Sequence, residues 1–113
     1  MYILPEKDIA ALIGRQDSFD AVEKTFAAMA AKSGFDRAAL TLGLKSGGYW
    51  PGNAAKGLTN HQSTIFLFDA DTGKCRAVVG GNLLTALRTA AAAAVSVAHL
   101  ARQDAKVLGI IGA

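Results

Sequence analysis

Apolar residues recur at spacings of three and four near the start of the chain, which is the spacing of one helix face. A first helix is predicted after Pro5, whose missing N–H is harmless in a first turn, and Gly14 ends it. A second helix is predicted after a cap at Asp17 or Ser18. The two apolar faces consist of Ile9, Leu12 and Ile13, and of Phe19, Val22, Phe26, Met29 and Ala30. Both helices are expected to cover a sheet.

Strands are predicted at residues 2–4, 40–45, 65–68 and 75–79. In the second strand, leucines alternate with polar or small residues, so the leucines are expected to face the core. Lys45 is expected on the opposite face, where Gly43 has no side chain and leaves space. The third is apolar on both faces, as in a central strand. A glycine-rich loop at residues 46–53 and a hairpin turn at residues 69–73 separate the strands.

The last third of the chain combines a long helix with a short aliphatic run. The helix is predicted over residues 82–102, capped by the side chain of Asn82. Residues 107–111 follow and are predicted to be a buried strand ending at Gly112. A buried strand that runs into a glycine is typical of the start of a dinucleotide-binding turn, in which case it pairs with no earlier strand. The alternative is a further strand of the same sheet.

Composition and charge narrow the function classes. The 12 Lys and Arg residues are scattered singly, and the net charge is +3, so nucleic acid is not expected as a partner. A single cysteine, Cys75, excludes an intrachain disulfide and fits a reducing compartment. The start of the chain lacks the pattern of a signal peptide. Ser96 and His99 interrupt the alanine-rich helix, which we expect to be too short to cross a membrane. A soluble cytoplasmic protein is expected.

Few residues carry the patterns of a chemical site. His61 and His99 lack a partnered acid or thiol at ligand spacing, so no metal is expected. Arg88 lies among small and apolar residues, where a guanidinium requires a partner such as a carboxylate. Lys45 and Arg88 are therefore predicted to converge on one concave site for an anionic small molecule. His61 fits a structural role as well as a catalytic one.

Six segments, in this order and at this spacing, resemble the ornithine cyclodeaminase/mu-crystallin family. They are LGLKS at 42–46, PGN at 51–53, GLTNHQ at 57–62, LFDADTG at 67–73, LTALRTAA at 84–91 and VLGIIGA at 107–113. The most specific feature is LRTAA some twenty residues before the glycine turn. The resemblance covers residues 40–113 well and the first helices loosely.

The resemblance implies an α/β protein with two domains. Residues 1–104 would form an α+β dimerisation and substrate-binding domain that includes a linker helix, 82–102. Residues 105–113 would begin a Rossmann domain for NAD or NADP. A homodimer around a joined barrel is implied, and residues 65–68 and 78–79 are expected to be buried, partly in its interface. The expected ligand is a small amino or imino acid.

The resemblance also implies roles for individual residues. Lys45 would contact the substrate carboxylate and polarise the imine, and Arg88 would hold that carboxylate or lie at the cofactor edge. Gln62 would lie near both the substrate and the nicotinamide, and Thr89 near the nicotinamide and its phosphates. Gly112 would belong to the phosphate-binding turn.

Two departures from the family pattern limit what these residues are expected to do alone. The rest of the glycine fingerprint and the downstream acid for proton transfer are absent from the sequence, so we expect the chain by itself to be inactive. The segment after Ala31 is shorter than in the family, and Arg37 lies in no matching motif and receives no role.

Three functions follow from the resemblance. The first is an NAD(P)-dependent enzyme of the ornithine cyclodeaminase type, acting on the C–N bond of a small α-amino or imino acid. The second is a reductase of cyclic ketimines of the pyrroline-2-carboxylate type. The third is a non-catalytic, mu-crystallin-like binding or dimerising module.

Overall fold

The computed structural model describes residues 1–30 and 42–111, in which helices cover one face of a four-stranded sheet. The strands are β1 (Tyr2–Leu4), β2 (Leu42–Tyr49), β3 (His61–Phe68) and β4 (Cys75–Gly80). The helices are α1 (Glu6–Leu12), α2 (Arg15–Ala30) and α3 (Asn82–Leu100), with a short 3₁₀ helix at Pro51–Lys56. Arg37, the segment after Ala31 and the first two residues of the predicted strand 40–45 lie outside the described residues.

The sheet has the order β1-β4-β3-β2, with β1 parallel to β4 and the other pairs antiparallel. The prediction that residues 65–68 belong to a central strand is therefore confirmed. β2 extends four residues beyond the predicted strand, into the segment that we expected to be a loop. A Cβ at Gly47 would overlap the carbonyl oxygen of Gln62, so the glycines of this segment allow close pairing of β2 with β3.

The core lies between α1, α3 and the covered face of the sheet. Ile9 of α1 and Ala77 and Val79 of β4 are buried at its centre. Around them pack Leu4, Ile13, Ile65, Leu67, Leu83 and Leu84. Burial of Val79 is as predicted, whereas Val78 and residues 65–68 are only partly covered in the single chain.

The leucines of β2 face away from this core, contrary to prediction. Lys45 pairs with Ile65, which faces the helices, whereas Leu44 pairs with Phe66 on the open face. Leu42 and Leu44 are consequently 58% and 57% exposed. Alternation shows which residues share a face, but only the register with the next strand decides which face receives the helices.

The predicted helix caps do not form, because Asp17, Ser18 and Asn82 lie inside their helices, and a carboxylate bonds at the start of each helix. The Gly14 N–H donates to Asp17 Oδ2 at 2.8 Å, so α2 begins at Arg15 and Asp17 lies in its first turn. At α3, both oxygens of Glu6 accept bonds, from the Asn82 N–H at 2.6 Å and the Leu83 N–H at 3.0 Å. A negative charge is favoured at a helix N-terminus, so Glu6 ties α1 to α3.

The apolar faces of the first two helices are only partly covered. Leu12 is 65% exposed, and Phe26 and Met29 are 45% and 62% exposed. α1 does pack against β4, as expected of a helix that covers a sheet, but α2 packs against α3. The expectation that both helices cover the sheet is thus correct for α1 alone.

The turn between β3 and β4 forms as predicted. Asp69 Oδ1 accepts bonds from the N–H groups of Asp71 and Thr72 and from the Thr72 hydroxyl. These bonds, chiefly that from the Thr72 backbone, hold the pKa of Asp69 below its usual value. Gly73 completes the turn with a φ of 69°, which favours glycine.

α3 ends at Leu100, two residues before the predicted end, but it is apolar enough to contradict our expectation about membranes. By length and composition α3 could cross a membrane, because its mean hydropathy is 1.5. Within the described structure, 11% of this apolar stretch is buried. Helices that pack inside protein domains also meet these criteria. α3 contacts α1, α2 and β3, so its surroundings are those of a helix packed on protein.

Residues 107–111 are not a strand, contrary to prediction. Val107 is 90% exposed and Ile111 fully exposed, and the segment pairs with none of the four strands. The alternative that this segment extends the same sheet is therefore excluded. A parallel strand needs neighbours that hydrogen-bond to it, and residues 1–30 and 42–111 supply none. Gly112 lies outside the described residues, and the division into two domains stays a prediction.

Candidate functional site

Lys45 is joined to α3 by a hydrogen bond. It lies on the edge strand β2, on the face that the helices cover, and Nζ donates to Thr85 Oγ1 at 2.6 Å. Thr85 stands in the first turns of α3, because Asn82 begins that helix. The bond places a lysine ammonium beside the helix that carries the LRTAA segment.

Thr85 is well placed to orient this ammonium, although sequence reasoning gave it no role. Its hydroxyl donates to the Gly81 carbonyl at 2.6 Å, so its oxygen remains free to accept from Lys45. The same oxygen lies 3.5 Å from Ser63 Oγ on β3. The only signal in the sequence was its position within the LTALRT segment.

A cavity of about 940 Å³ opens beside Thr85. One wall is a face of α3 whose side chains are short, namely Thr85, Ala86, Thr89, Ala90 and Ala93. The remaining wall consists of Glu6, Thr59, His61, Asn82 and Leu83. Small side chains leave room for a ligand here. Thr89 lines this space, and its predicted contact with the nicotinamide and its phosphates stays a prediction.

Gln62 is bonded to its neighbours rather than directed into this cavity. Its Nε2 donates to the Thr59 carbonyl and to Thr59 Oγ1, both at 2.9 Å. Its Oε1 accepts from Asn82 Nδ2 at 3.1 Å. The predicted contact of Gln62 with substrate and nicotinamide stays a prediction.

Arg88 is exposed on α3 and does not line the cavity beside Thr85. Its guanidinium has no hydrogen bond or ion pair with any described residue. Arg88 comes one residue before Thr89, and successive side chains of a helix are rotated by about 100° around its axis, so Arg88 points away from the cavity face. Convergence of Lys45 and Arg88 on one site stays a prediction, as does the role of Gly112.

Across residues 1–30 and 42–111, no group of His, Cys, Asp and Glu side chains could hold a metal ion. The ammonium of Lys45, bonded to Thr85, instead suits an anionic group on an organic ligand, since it offers positive charge and N–H donors.

Comparison with known proteins places these features in a family context. A model of the ornithine cyclodeaminase/mu-crystallin family matches residues 15–113. Iminosuccinate reductase of Paracoccus denitrificans is 52% identical over 100% of this chain and 42% of its own length. Its crystal structure with NAD+ superimposes with a TM-score of 0.81 at 49% identity, over 94% of this chain and 40% of that one.

Two more distant solved structures share the fold. Δ1-pyrroline-2-carboxylate reductase of Thermococcus litoralis, with NADH and L-proline, has a TM-score of 0.80 at 26% identity, over 94% of this chain and 40% of that one. An archaeal alanine dehydrogenase, described as a dimer with bound NAD, has a TM-score of 0.82 at 27% identity, over 92% of this chain and 38% of that one.

The chain thus spans about two fifths of the length of these relatives. The comparisons confirm the resemblance stated from the sequence, the α/β fold class and the nicotinamide cofactor of the family. All three relatives are named as reductases or a dehydrogenase, which favours our second functional alternative over the first. The chain belongs to the ornithine cyclodeaminase/mu-crystallin family.

Proposed function

We propose that the full-length protein is an NAD(P)-dependent reductase of a small α-imino acid, with iminosuccinate as the first candidate substrate. The observation that carries this proposal is the hydrogen bond of the Lys45 ammonium to Thr85, a residue that lines the cavity. The identity over the whole chain with iminosuccinate reductase supports the choice of substrate. A cyclic ketimine such as Δ1-pyrroline-2-carboxylate is the second candidate.

Lys45 has two tasks in this proposal. Its positive charge attracts the substrate carboxylate, and its N–H groups hold that carboxylate in a fixed position. Because Thr85 already orients Nζ, little reorganisation is required when the substrate binds. A positive charge near the imine nitrogen would also stabilise the negative charge that develops there when hydride adds to the imine carbon. When bound, the reduced nicotinamide supplies that hydride.

The described residues fit one side of a nicotinamide site. Ala86, Ala90 and Ala93 form a flat apolar wall, against which an aromatic ring can pack. The Thr89 hydroxyl donates to the Thr85 carbonyl at 2.7 Å, so towards a ligand it can only accept. Cofactor contacts of Gln62, Arg88 and Gly112 remain part of the proposal.

The open face of the sheet supports a homodimer as the working assembly. Ile3 is 71% exposed on β1 at one edge of this face, and the two exposed leucines of β2 lie at the opposite edge. The apolar residues of this face are Ile3, Leu42, Leu44, Phe66, Phe68 and Val78. A contiguous apolar face of this kind is typical of a protein–protein interface, and a second copy of the chain is the partner that we propose.

The proposed reaction is tested by following oxidation of NADH and NADPH by the full-length protein. The substrates are iminosuccinate, formed from oxaloacetate and ammonia, and Δ1-pyrroline-2-carboxylate. We expect reduction of at least one of them. Conversion of ornithine with NAD⁺ but of neither imine would favour the cyclodeaminase reaction, and no turnover of any of them would favour a non-catalytic binding module.

Replacement of Thr85 by valine is expected to lower kcat, because Lys45 loses the oxygen that orients it. Loss of one such hydrogen bond to a charged group corresponds to roughly a 10-fold to 100-fold effect. Thr85→Ser keeps the oxygen and should retain most of the activity. Steady-state kinetics of the two variants test this, and equal activity of Thr85→Val and wild type would contradict it.

A further inference from the structure

The hydroxyl groups around the cavity have no hydrogen left to donate to a ligand. A threonine hydroxyl carries a single hydrogen. Thr59 Oγ1 donates to the His61 carbonyl at 2.9 Å, and Thr85 and Thr89 donate to the carbonyls of Gly81 and Thr85. These side chains can therefore accept hydrogen bonds from a ligand but cannot donate to its carboxylate.

The other polar side chains on the wall are also engaged. Asn82 Nδ2 donates to Gln62 Oε1 at 3.1 Å and lies 3.4 Å from Thr59 Oγ1. Glu6 is an acceptor, and both of its oxygens are bonded to the first N–H groups of α3. Among the described residues of the wall, His61 is the side chain that remains uncommitted.

The surroundings of His61 determine which of its ring nitrogens carries the proton. Nδ1 is enclosed and has no hydrogen-bond partner. A buried N–H group without a partner is rarer than a buried acceptor without one. We therefore assign the unpartnered Nδ1 as the ring nitrogen that carries a lone pair and no proton. The proton then lies on Nε2, which is not enclosed in this way. His61, which lines the cavity, thus carries its one N–H donor on Nε2.

The register of β2 and β3 relates the positions of Lys45 and His61, because Lys45 pairs with Ile65, four residues or about 13 Å along β3 from His61. Lys45 Nζ is bonded to Thr85 Oγ1, which lies 3.5 Å from Ser63 Oγ. Ser63 and His61 are two residues apart on the same face of β3, so they are about 7 Å apart along the strand. The side chain of Lys45 covers part of this length, since Nζ extends to Thr85 beside Ser63, and a bound dicarboxylate would have to span the remainder.

We propose that His61 is a specificity-determining residue, whose Nε2–H binds the second carboxylate of an open-chain dicarboxylic imino acid while Lys45 binds the first. The inference rests on the proposed function and extends it to the class of substrate. A monocarboxylic imino acid has no group to accept this bond and relies on Lys45 alone. The hydrogen bond from His61 therefore distinguishes the two substrate classes.

The experiment compares two substrates in the full-length enzyme. They are iminosuccinate, from oxaloacetate and ammonia, and iminopropionate, from pyruvate and ammonia. His61→Leu should lower kcat/KM for iminosuccinate roughly 10-fold to 100-fold, mainly through KM, because a hydrogen bond to a charged group is lost. Its kcat/KM for iminopropionate should change less than about twofold.

Two further variants keep the test valid if His61→Leu folds poorly. His61→Gln places an amide N–H near the position of Nε2 and should retain much of the preference for the diacid. His61→Asn is equally polar but too short to reach the cavity, and it should lose that preference. His99→Leu is the matched control, because His99 bonds Glu23 between α2 and α3, away from the cavity wall.

The outcomes separate this inference from the proposed function. Equal losses on both substrates, or no loss of selectivity in His61→Leu and His61→Asn, would overturn the role of His61 and leave the reductase proposal intact. A wild-type enzyme that prefers iminopropionate would overturn it as well. If the wild type reduces neither imine with NADH or NADPH, the proposed reaction and the role of His61 both fail.

Discussion

Replacement of Lys45 by alanine in the full-length enzyme is expected to lower kcat by about 10²-fold to 10³-fold and to leave the fold intact. Removal of one preorganised donor from a site of developing charge typically has an effect of this size. The fold should tolerate the change, because Lys45 is exposed on the edge strand β2 and makes one side-chain bond, to Thr85. The substrate carboxylate would then lose its cationic partner.

Steady-state kinetics and circular dichroism together test this prediction. Lys74→Ala is a suitable control, since Lys74 is an exposed lysine in the turn between β3 and β4. Lys45→Arg keeps the charge but changes the geometry of its donors, so it should recover substrate binding better than turnover. A loss of less than tenfold in Lys45→Ala, with the fold preserved, would show that Lys45 does not act in catalysis.

The second large effect is expected in the assembly of the protein. Leu44→Asp should convert the proposed homodimer into a monomer at micromolar concentration. Two open sheet faces packed together would enclose the new carboxylate without a partner, which costs several kcal/mol. Within one protomer the cost should be small, because Leu44 is already 57% exposed. The variant should therefore fold and yet fail to associate.

Light scattering of the wild type and the variant measures the effect. Leu12→Asp is the matched control, because Leu12 is 65% exposed on α1, on the side of the sheet that carries the helices. It introduces the same charge without touching the open face and should remain dimeric. A wild-type protein that is monomeric at micromolar concentration would refute the dimer, and a dimeric Leu44→Asp would exclude this face as its interface.

The elements of the fold were largely predictable from local pattern. Three helices and the strands around residues 65–68 and 75–79 follow from the spacing of apolar residues, and Gly73 marks its turn in the sequence. The LRTAA segment and its neighbours were also sufficient to recognise the family, because a motif is a property of adjacent residues. Lys45 could be singled out for the same reason.

Caps and faces were less predictable, because they depend on residues far apart in the chain. Glu6 caps α3 from 76 residues away. The sequence around Asn82 predicted that its own side-chain amide would accept the first N–H bonds of the helix, but the carboxylate of Glu6 accepts them instead. The alternation of β2 grouped its leucines correctly but could not place them, since the position of the helices decides which face becomes the core. Residues 107–111 have the composition of a buried strand, yet burial requires neighbours that the described residues do not supply.

The sequence by itself thus determined the helices, most of the strands and the family, all of which depend on short-range spacing and on motifs. Only the tertiary structure decided that Lys45 is bonded to Thr85 and that His61, with an unpartnered Nδ1, lines the same cavity as Thr85. Those facts depend on which hydrogen-bond partners are already taken. Partners are assigned when β2, β3 and α3 come together, and no local pattern records that assignment.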